Sequence, residues 1–143
     1  MIYRMGAALM SLLGLFVSAY LYLYKIGRIG TLACGSGDCE TVQTSPWSRF
    51  LGVEVSLIGL VGYAVLFVLA LLALQAAPGS RRWPERLLTI LAAGGVVFTA
   101  YLTCLELFVI HAICRWCVGS AAIIVTILVL GLLELRRLRA GLA

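Results

Sequence analysis

Four long runs of apolar residues constrain this chain more than any other feature. They cover residues 5–24, 55–77, 87–110 and 113–133, and charged, glycine-rich or very short segments separate them. A helix needs about 20 apolar residues to cross the hydrocarbon core of a bilayer, so each run is long enough to span it. The sequence therefore predicts an all-α membrane protein whose single domain, residues 1–143, is a bundle of four transmembrane helices.

The composition excludes a soluble fold. The chain is 63% hydrophobic and 12% charged, whereas a soluble domain is about 45–50% apolar and about 25% charged. A fold of 143 residues has no interior large enough to hide that apolar excess. The net charge of +5 comes from scattered arginines and one lysine, and there is no basic tail of the kind that binds nucleic acid. We therefore expect contact with membrane lipid and no nucleic-acid partner.

The distribution of basic residues predicts the orientation of the bundle. Seven lie on the side of the two termini and the 78–86 turn, and four lie on the other side. The seven are Arg4, Arg81, Arg82, Arg86, Arg136, Arg137 and Arg139, and the four are Lys25, Arg28, Arg49 and Arg115. Because cytoplasmic segments carry the excess of arginine and lysine, we expect cytoplasmic termini and an extracytoplasmic loop 25–54. The expected location is the cell (inner) membrane, with the active site on its extracytoplasmic side.

Five cysteines are present, and four of them fall on one predicted side of the membrane. Cys34 and Cys39 lie in the outer loop as CGSGDC, and Cys114 and Cys117 form CRWC at the outer end of the fourth run. Cys104 lies inside the third run and is predicted to be a small core residue. Thiols on an extracytoplasmic face can be oxidised, so disulfides are permitted there.

The spacing of the two cysteine pairs favours redox chemistry. C-x-x-C is a recurring redox dithiol, and the start of a helix favours the thiolate of its first cysteine. Cys114 and Cys117 share one helix face, and Arg115 adds positive charge beside them. Gly35 and Gly37 make the loop pair pliable. A rigid membrane pair and a mobile loop pair together predict an electron relay.

Two other interpretations of the cysteines remain open. The four could bind zinc, although 74 residues separate the C-x4-C pair from the C-x2-C pair. They could also form purely structural disulfides, although a bundle held by lipid has little need of them. We expect no metal site.

The quoted motifs resemble one known family. The stretch from Cys34 to Tyr63, CGSGDCETVQTSPWSRFLGVEVSLIGLVGY, followed by Tyr101 and CRWCVGSA, is similar to the vitamin K epoxide reductase (VKOR) family. The similarity runs over most of the chain and includes four helices with the cysteine pairs in the family's order. It implies a thiol oxidoreductase that makes disulfides and passes the electrons to a quinone, of the ubiquinone, menaquinone or vitamin K type.

The resemblance also implies a role for each cysteine. Cys34 matches the loop cysteine that meets the redox partner, and Cys39 matches the one that passes electrons to Cys114. Cys117 matches the cysteine that reduces the bound quinone. Many bacterial relatives carry a fused thioredoxin-like domain, whereas this chain stops at Ala143. The expected partner is therefore a separate thioredoxin-fold (DsbA-like) protein.

Further residues are predicted near the quinone. Ser45 matches a family serine near the active site, and Trp47 matches a neighbouring aromatic residue. Ser45-Pro46 is also a good helix opening, so we expect a short interfacial helix over the quinone within residues 45–50. Ala121 stands where the vertebrate enzymes carry a tyrosine that binds vitamin K, which favours the bacterial-type activity over vitamin K quinone or epoxide reduction.

Two polar residues, one within the third apolar run and one just after it, complete the candidate pocket. Glu106 lies in the third run, where it is either a proton donor to the quinone or a neutral, hydrogen-bonded residue of the bundle. His111 lies three residues before Cys114 and either assists thiolate formation or has only an interfacial role. From a different class, a small proton-coupled transporter would use Glu106 but would leave four cysteines on one face unexplained.

Overall fold

The computed structural model describes residues 2–25, 49–50, 52–75, 82–110 and 115–140. Four long helices and one short hairpin make up these residues. In chain order they are α1 (Ile2–Lys25), β1 (Arg49–Phe50), β2 (Val53–Glu54), α2 (Val55–Gln75), α3 (Trp83–Leu105) with a π-helical continuation (Glu106–Ile110), and α4 (Arg115–Arg139).

All four helices are long and apolar enough to cross a membrane, which confirms the prediction of an all-α bundle of four transmembrane helices. Helices α1, α3 and α4 extend beyond the apolar runs that predicted them, whereas α2 begins with its run at Val55. Thus α3 starts at Trp83 with Glu85 in its first turn, and α4 ends with Arg136, Arg137 and Arg139 in its last turn. Acidic residues stabilise a helix N-terminus and basic residues a C-terminus, so the helices continue into polar sequence.

The helices form a ring in which each packs against its neighbours. Helix α1 packs most extensively against α2 and then against α4, and of the four neighbouring pairs α2 and α3 contact each other least. Glycines mark the closest approaches: a Cβ at Gly14 would overlap the Tyr63 ring, and one at Gly131 would lie 2.6 Å from Thr89 Oγ1. The bundle is therefore tight around α1 and α4 and looser between α2 and α3.

The interior of the bundle is built from small and medium apolar side chains, and the outer surface carries the large ones. Ala7, Ala70, Ala92 and Ile127 are buried, and small residues let helices in a membrane approach closely. The exposed large apolar side chains include Leu9, Phe16, Ile90, Val97 and Phe108. Large apolar side chains on the outer surface suit a protein whose surface contacts lipid.

A tight hairpin leads directly into α2. Strand β1 pairs antiparallel with β2, and Gly52 turns the chain with a φ of 83°. Glycine adopts this left-handed conformation without the steric cost of a Cβ. The interfacial helix predicted within residues 45–50 falls outside the described residues except for its last two, Arg49–Phe50, which are extended rather than helical. The hairpin itself was not predicted.

The third helix changes its hydrogen-bonding pattern near its C-terminal end. A π-helical segment runs from Glu106 to Ile110, so the predicted helix over 87–110 is confirmed, but its last turn is wider than an α-helical turn. Single π-helical turns occur mostly within α-helices and often at functional sites. Here the segment begins at the acidic residue of the third run.

Candidate functional site

A cavity of about 390 Å³ lies inside the bundle, lined mainly by α2, α3 and α4 with two residues of α1. Its walls are mostly apolar, as in ligand cavities generally. The cavity lies where α2 and α3 pack least closely. The gap between α2 and α3 thus leaves room for a small cyclic ligand.

Cys117 lines this cavity from the first turn of α4. Ser120 and Ile124 line it from the following turns, at the spacing that places residues on one helix face. The half-buried Cys117 is the one cysteine of the predicted relay within the described residues. Cys34, Cys39 and Cys114 lie outside them, so the predicted pairings stay predictions.

A tyrosine joins α2 to α4 one helical turn after Cys117. The Tyr63 hydroxyl donates to the backbone oxygen of Ser120 at 2.9 Å and lies 2.8 Å from the Ser120 hydroxyl. The ring fits because Gly14 on α1 leaves space for it. Since Ser120 follows Cys117 by three residues, these bonds fix the turn that carries the thiol.

The aromatic residue within the CRWC motif fixes the same turn from the other side. The Trp116 ring packs against Tyr20 of α1, with centroids 4.9 Å apart and planes at 44°. Such tilted aromatic pairs are favourable beyond the area that they bury. This contact ties the start of α4 to α1.

One hydroxyl group at the cavity has no hydrogen-bond partner among the described residues. Ser56, in the first turn of α2, is 8% exposed and lines the cavity, and its Oγ is buried without a partner. By contrast, Thr103 Oγ1 donates to the backbone oxygen of Thr99 at 2.9 Å. The backbone N–H groups of the first helical turn also lack partners within their helix, so this end of α2 is rich in donors.

The cavity opens sideways between α2 and α3. Gly62 and Val65 of α2 and Leu91 and Gly94 of α3 line the cavity and are also exposed on the outer surface. A Cβ at Gly62 or Gly94 would meet no atom within 4 Å. In a membrane-spanning bundle this surface faces hydrocarbon, so the opening leads into the lipid phase.

The other predicted site residues fall partly or wholly outside the described residues. Ser45, Trp47 and His111 lie outside them. The backbone of Glu106 is described but its side chain is not. It follows the cavity residue Leu102 by four positions, about one helical turn further out.

The prediction for Cys104 is wrong. The side chain is exposed, and the residue is not part of the buried core. The run of apolar residues around it does not reveal that α3 turns this position outward. No group of three or more metal-ligating residues occurs within the described ranges, and the zinc alternative involves three cysteines beyond them.

The sequence analysis did not identify Ser56, Tyr63, Ser120 or the glycines that line the cavity as site residues. The available signal was the recurrence of small and polar residues every three or four positions in otherwise bulky helices, as in Ser56, Gly59 and Tyr63. The quoted resemblance covered these positions without giving them a role.

A comparison with known families agrees with this architecture. Residues 6–132 match the Vitamin K epoxide reductase family, a range that contains both cysteine pairs, all of α2 and α3, and most of α1 and α4. The proteins of this family are oxidoreductases that use quinones. The chain therefore belongs to the vitamin K epoxide reductase family and is a multi-pass membrane oxidoreductase.

Proposed function

We propose that this protein oxidises the thiols of an extracytoplasmic partner to a disulfide and passes the electrons to a quinone bound in the cavity. The observation that carries the proposal is the position of Cys117. Its side chain lines an apolar cavity that opens toward lipid, where quinones dissolve.

The residues of the cavity fit a quinone, which supplies an acceptor for two electrons and two protons. A quinone ring is flat and apolar, and its two carbonyl oxygens require hydrogen-bond donors. Ser56 has a buried hydroxyl without a partner, and the first turn of α2 adds backbone N–H groups. Leaving such a group unpaired costs about 1–3 kcal/mol, so a bound carbonyl oxygen is favoured there.

The relay that we propose consists of two thiol–disulfide exchanges. The partner's dithiol becomes a disulfide while the Cys34–Cys39 disulfide becomes two thiols. Those two thiols then reduce the Cys114–Cys117 disulfide, and Cys117 delivers the electrons to the quinone. The net reaction converts a dithiol and a quinone into a disulfide and a quinol, so electrons and protons balance. Each exchange needs a thiolate as the attacking species.

Contacts on two sides fix the helical turn that carries Cys117. The residue lies in the first turn of α4. The hydrogen bonds from Tyr63 to Ser120 and the contact of Trp116 with Tyr20 hold this turn in place. The side chain can therefore keep one position toward the cavity during turnover.

The proposed partner is a separate thioredoxin-fold (DsbA-like) protein that exchanges with Cys34. A mixed disulfide requires that the attacked sulfur be reachable by a bulky protein. The sequence pattern predicts Cys114 and Cys117 at the start of a transmembrane helix and Cys34 and Cys39 in a loop between helices. We place this loop on the extracytoplasmic side of the inner membrane, from the arginine distribution. The transporter alternative built on Glu106 is not retained, because the family is one of oxidoreductases.

The test is an assay with purified protein, a reduced thioredoxin-fold protein and a soluble quinone. We expect the wild type and Cys104→Ser to reduce the quinone at similar rates, since Cys104 is exposed and outside the cavity lining. Cys117→Ser should show no turnover above background. Turnover in Cys117→Ser, or no turnover in the wild type, would contradict the proposal.

A further inference from the structure

The Arg4 end of the bundle, where α3 begins and α4 ends, lies opposite Cys117 and carries a dense group of exposed positive charges. The exposed arginines are Arg82 just before α3, Arg86 in the first turn of α3, and Arg136 and Arg139 in the last turn of α4. Exposed charges of one sign at this density attract groups of the opposite sign.

The two carboxylates at this end are already occupied by a buried arginine. Arg4 of α1 donates from Nε to Glu134 Oε1 of α4 at 2.9 Å, and its Nη2 contacts Glu85 Oε1 of α3. Its Nη1 donates to the backbone oxygen of Ala73 in α2 at 3.0 Å. Glu85 is 3% and Glu134 is 4% exposed. Within the described ranges, no ion pair joins either carboxylate to one of the four exposed arginines.

The rest of the sequence brings no carboxylate side chain to this end. The other four acidic residues are Asp38, Glu40, Glu54 and Glu106. Glu54 directly precedes α2 and Glu106 follows α3, both at the Cys117 end, and the other two belong to the loop 25–54 predicted on that side. Arg137 is half-buried and has a contact of its own, so it is not one of the exposed arginines. The negative charge that faces those four therefore comes from outside the described residues.

Helical spacing brings three of the four arginines to one seam between α3 and α4. The helices meet where Gly131 lies against Thr89, since a Cβ at Gly131 would be 2.6 Å from Thr89 Oγ1. Arg82 and Arg86 precede Thr89 by seven and three residues, which places them on the Thr89 face of α3. Arg139 follows Gly131 by eight residues and so lies on the Gly131 face of α4. The three arginines therefore flank the α3–α4 seam.

Apolar side chains continue the exposed surface of both helices toward the middle of the bundle. Those on α3 are Trp83, Leu87 and Ile90, and those on α4 are Val129 and Leu132. Tryptophan is enriched at the level of the lipid headgroups, and exposed apolar side chains beyond it face the acyl chains. The surface therefore has the two parts of a phospholipid binding site, which are cations at headgroup level and apolar side chains below them.

We propose that the α3–α4 seam binds one anionic phospholipid, whose phosphate contacts Arg86 and Arg139 and whose acyl chains lie along the exposed apolar side chains. Guanidinium groups bind phosphate through paired hydrogen bonds and stay charged. Basic pockets between transmembrane helices bind anionic headgroups in other membrane proteins. A zwitterionic lipid carries an ammonium group that the arginines repel, so the site favours a lipid with net negative charge, such as phosphatidylglycerol. This proposal depends neither on quinone chemistry nor on the side of the membrane that this end faces.

The test is the binding of single lipids to the purified full chain in a neutral detergent, counted by native mass spectrometry. Each basic residue near an anionic lipid contributes about fivefold, so one phosphatidylglycerol should bind at least about tenfold more tightly than phosphatidylcholine with the same acyl chains. Arg86→Gln and Arg139→Gln should each weaken that binding about fivefold. The matched control is Arg49→Gln, which removes one charge at the Cys117 end and should leave the affinity unchanged. Equal affinities for the two lipids, or an equal loss in the control, would overturn the proposal.

Two further measurements on the wild type need no variant that folds. Inorganic phosphate at the same ionic strength should not displace phosphatidylglycerol, because free phosphate lacks acyl chains to contact the apolar side chains. Phosphatidylglycerol with a photoactivatable acyl chain should crosslink to α3 near Leu87 and Ile90 and to α4 near Leu132. Displacement by inorganic phosphate would show a site for anions in general, and crosslinks confined to α1 and α2 would show that the lipid binds elsewhere. Either result would contradict the assignment to the α3–α4 seam.

Discussion

The two ends of this bundle differ in how closely the same four helices pack. At the Arg4 end, an ion-pair cluster and the close contact of Gly131 with Thr89 leave a cavity of only about 20 Å³. At the Cys117 end, α2 and α3 separate around a cavity of about 390 Å³ whose walls are mostly apolar with a few hydroxyl groups, and no described charged residue lines it. The difference indicates that one end holds the helices together and the other accommodates a ligand.

This division has a physical reason. A ligand cavity removes packing from the bundle, and lost packing lowers stability. Low-stability regions are where ligand-binding elements are generally found. Contacts at the far end, together with Tyr63 between α2 and α4, compensate without filling the cavity. If this account is correct, substitutions at the Arg4 end should change stability, and substitutions around the cavity should change quinone turnover.

The largest effect on this comparison is expected from Arg4→Met. The change leaves two buried carboxylates without a counter-charge, and removing one partner of a buried ion pair costs about 3–5 kcal/mol. We expect that loss in the free energy of unfolding at pH 8, measured in mixed detergent micelles. The folded fraction should still reduce quinone. Loss of quinone reduction in protein that is still folded would show that the two ends are not independent.

A pair of glycine substitutions contrasts the packing at the two ends. Gly131→Ala places a Cβ 2.6 Å from Thr89 Oγ1, and overpacking of this kind costs about 1–3 kcal/mol. Gly62→Ala has open space and should be neutral or stabilise by about 0.5–1 kcal/mol, because alanine favours the helix. Both values come from the same unfolding assay. Equal losses for the two variants would show that the opening near Gly62 is not free space.

Blocking the lateral opening should impair quinone access without unfolding the bundle. Gly94→Trp places a large ring at the exposed cavity wall, and we expect the KM for quinone to rise about tenfold, which corresponds to about 1.4 kcal/mol. Gly119→Trp is the control, since Gly119 is also exposed with open space around it but lies outside the cavity lining. Steady-state kinetics with a long-chain quinone measure both. A similar KM in the two variants would place the access route elsewhere.

The smallest expected effect concerns the hydroxyl groups of the cavity. Ser56→Ala removes the donor without a partner, and one hydrogen bond is worth about 0.5–1.5 kcal/mol, or a rise of about two- to tenfold in the KM for quinone. Thr103→Val is the control because that hydroxyl already donates to Thr99. If Thr103→Val raises KM more than Ser56→Ala does, the quinone is bound at the other side of the cavity.

The sequence predicted the parts of the fold that depend on local pattern. Apolar runs of spanning length identified four helices. The CRWC motif drew attention to Cys117, which lines the cavity, whereas the predicted relay stays a prediction. The cluster at the other end depends on tertiary arrangement, since 130 positions separate Arg4 from Glu134. Arg4 was interpreted as a cytoplasmic surface charge, whereas the structure buries it between carboxylates. Without it the basic residues divide six to four, and the proposed orientation is the same.

The cavity residues escaped prediction for a related reason. Ser56 and Ser120 are ordinary small residues of transmembrane helices, and only the packing around them distinguishes a site residue from a contact residue. Cys104 shows the converse, because its buried position was inferred from an apolar run that has both inner and outer faces. Cysteines are rare enough for their spacing to indicate a site in the sequence, whereas serines are too common in transmembrane helices for their positions to do so.

Protection of Cys117 by bound quinone tests the central claim most directly. A variant with serine at Cys34, Cys39 and Cys114 keeps two thiols, Cys117 in the cavity and Cys104 on the outer surface, so one protein contains site and control. Alkylation rates of both are measured by mass spectrometry with and without a fully ring-substituted quinone, which cannot itself alkylate thiols. The account predicts that quinone slows labelling of Cys117 and leaves Cys104 unchanged. Equal labelling of Cys117 with and without saturating quinone would contradict it.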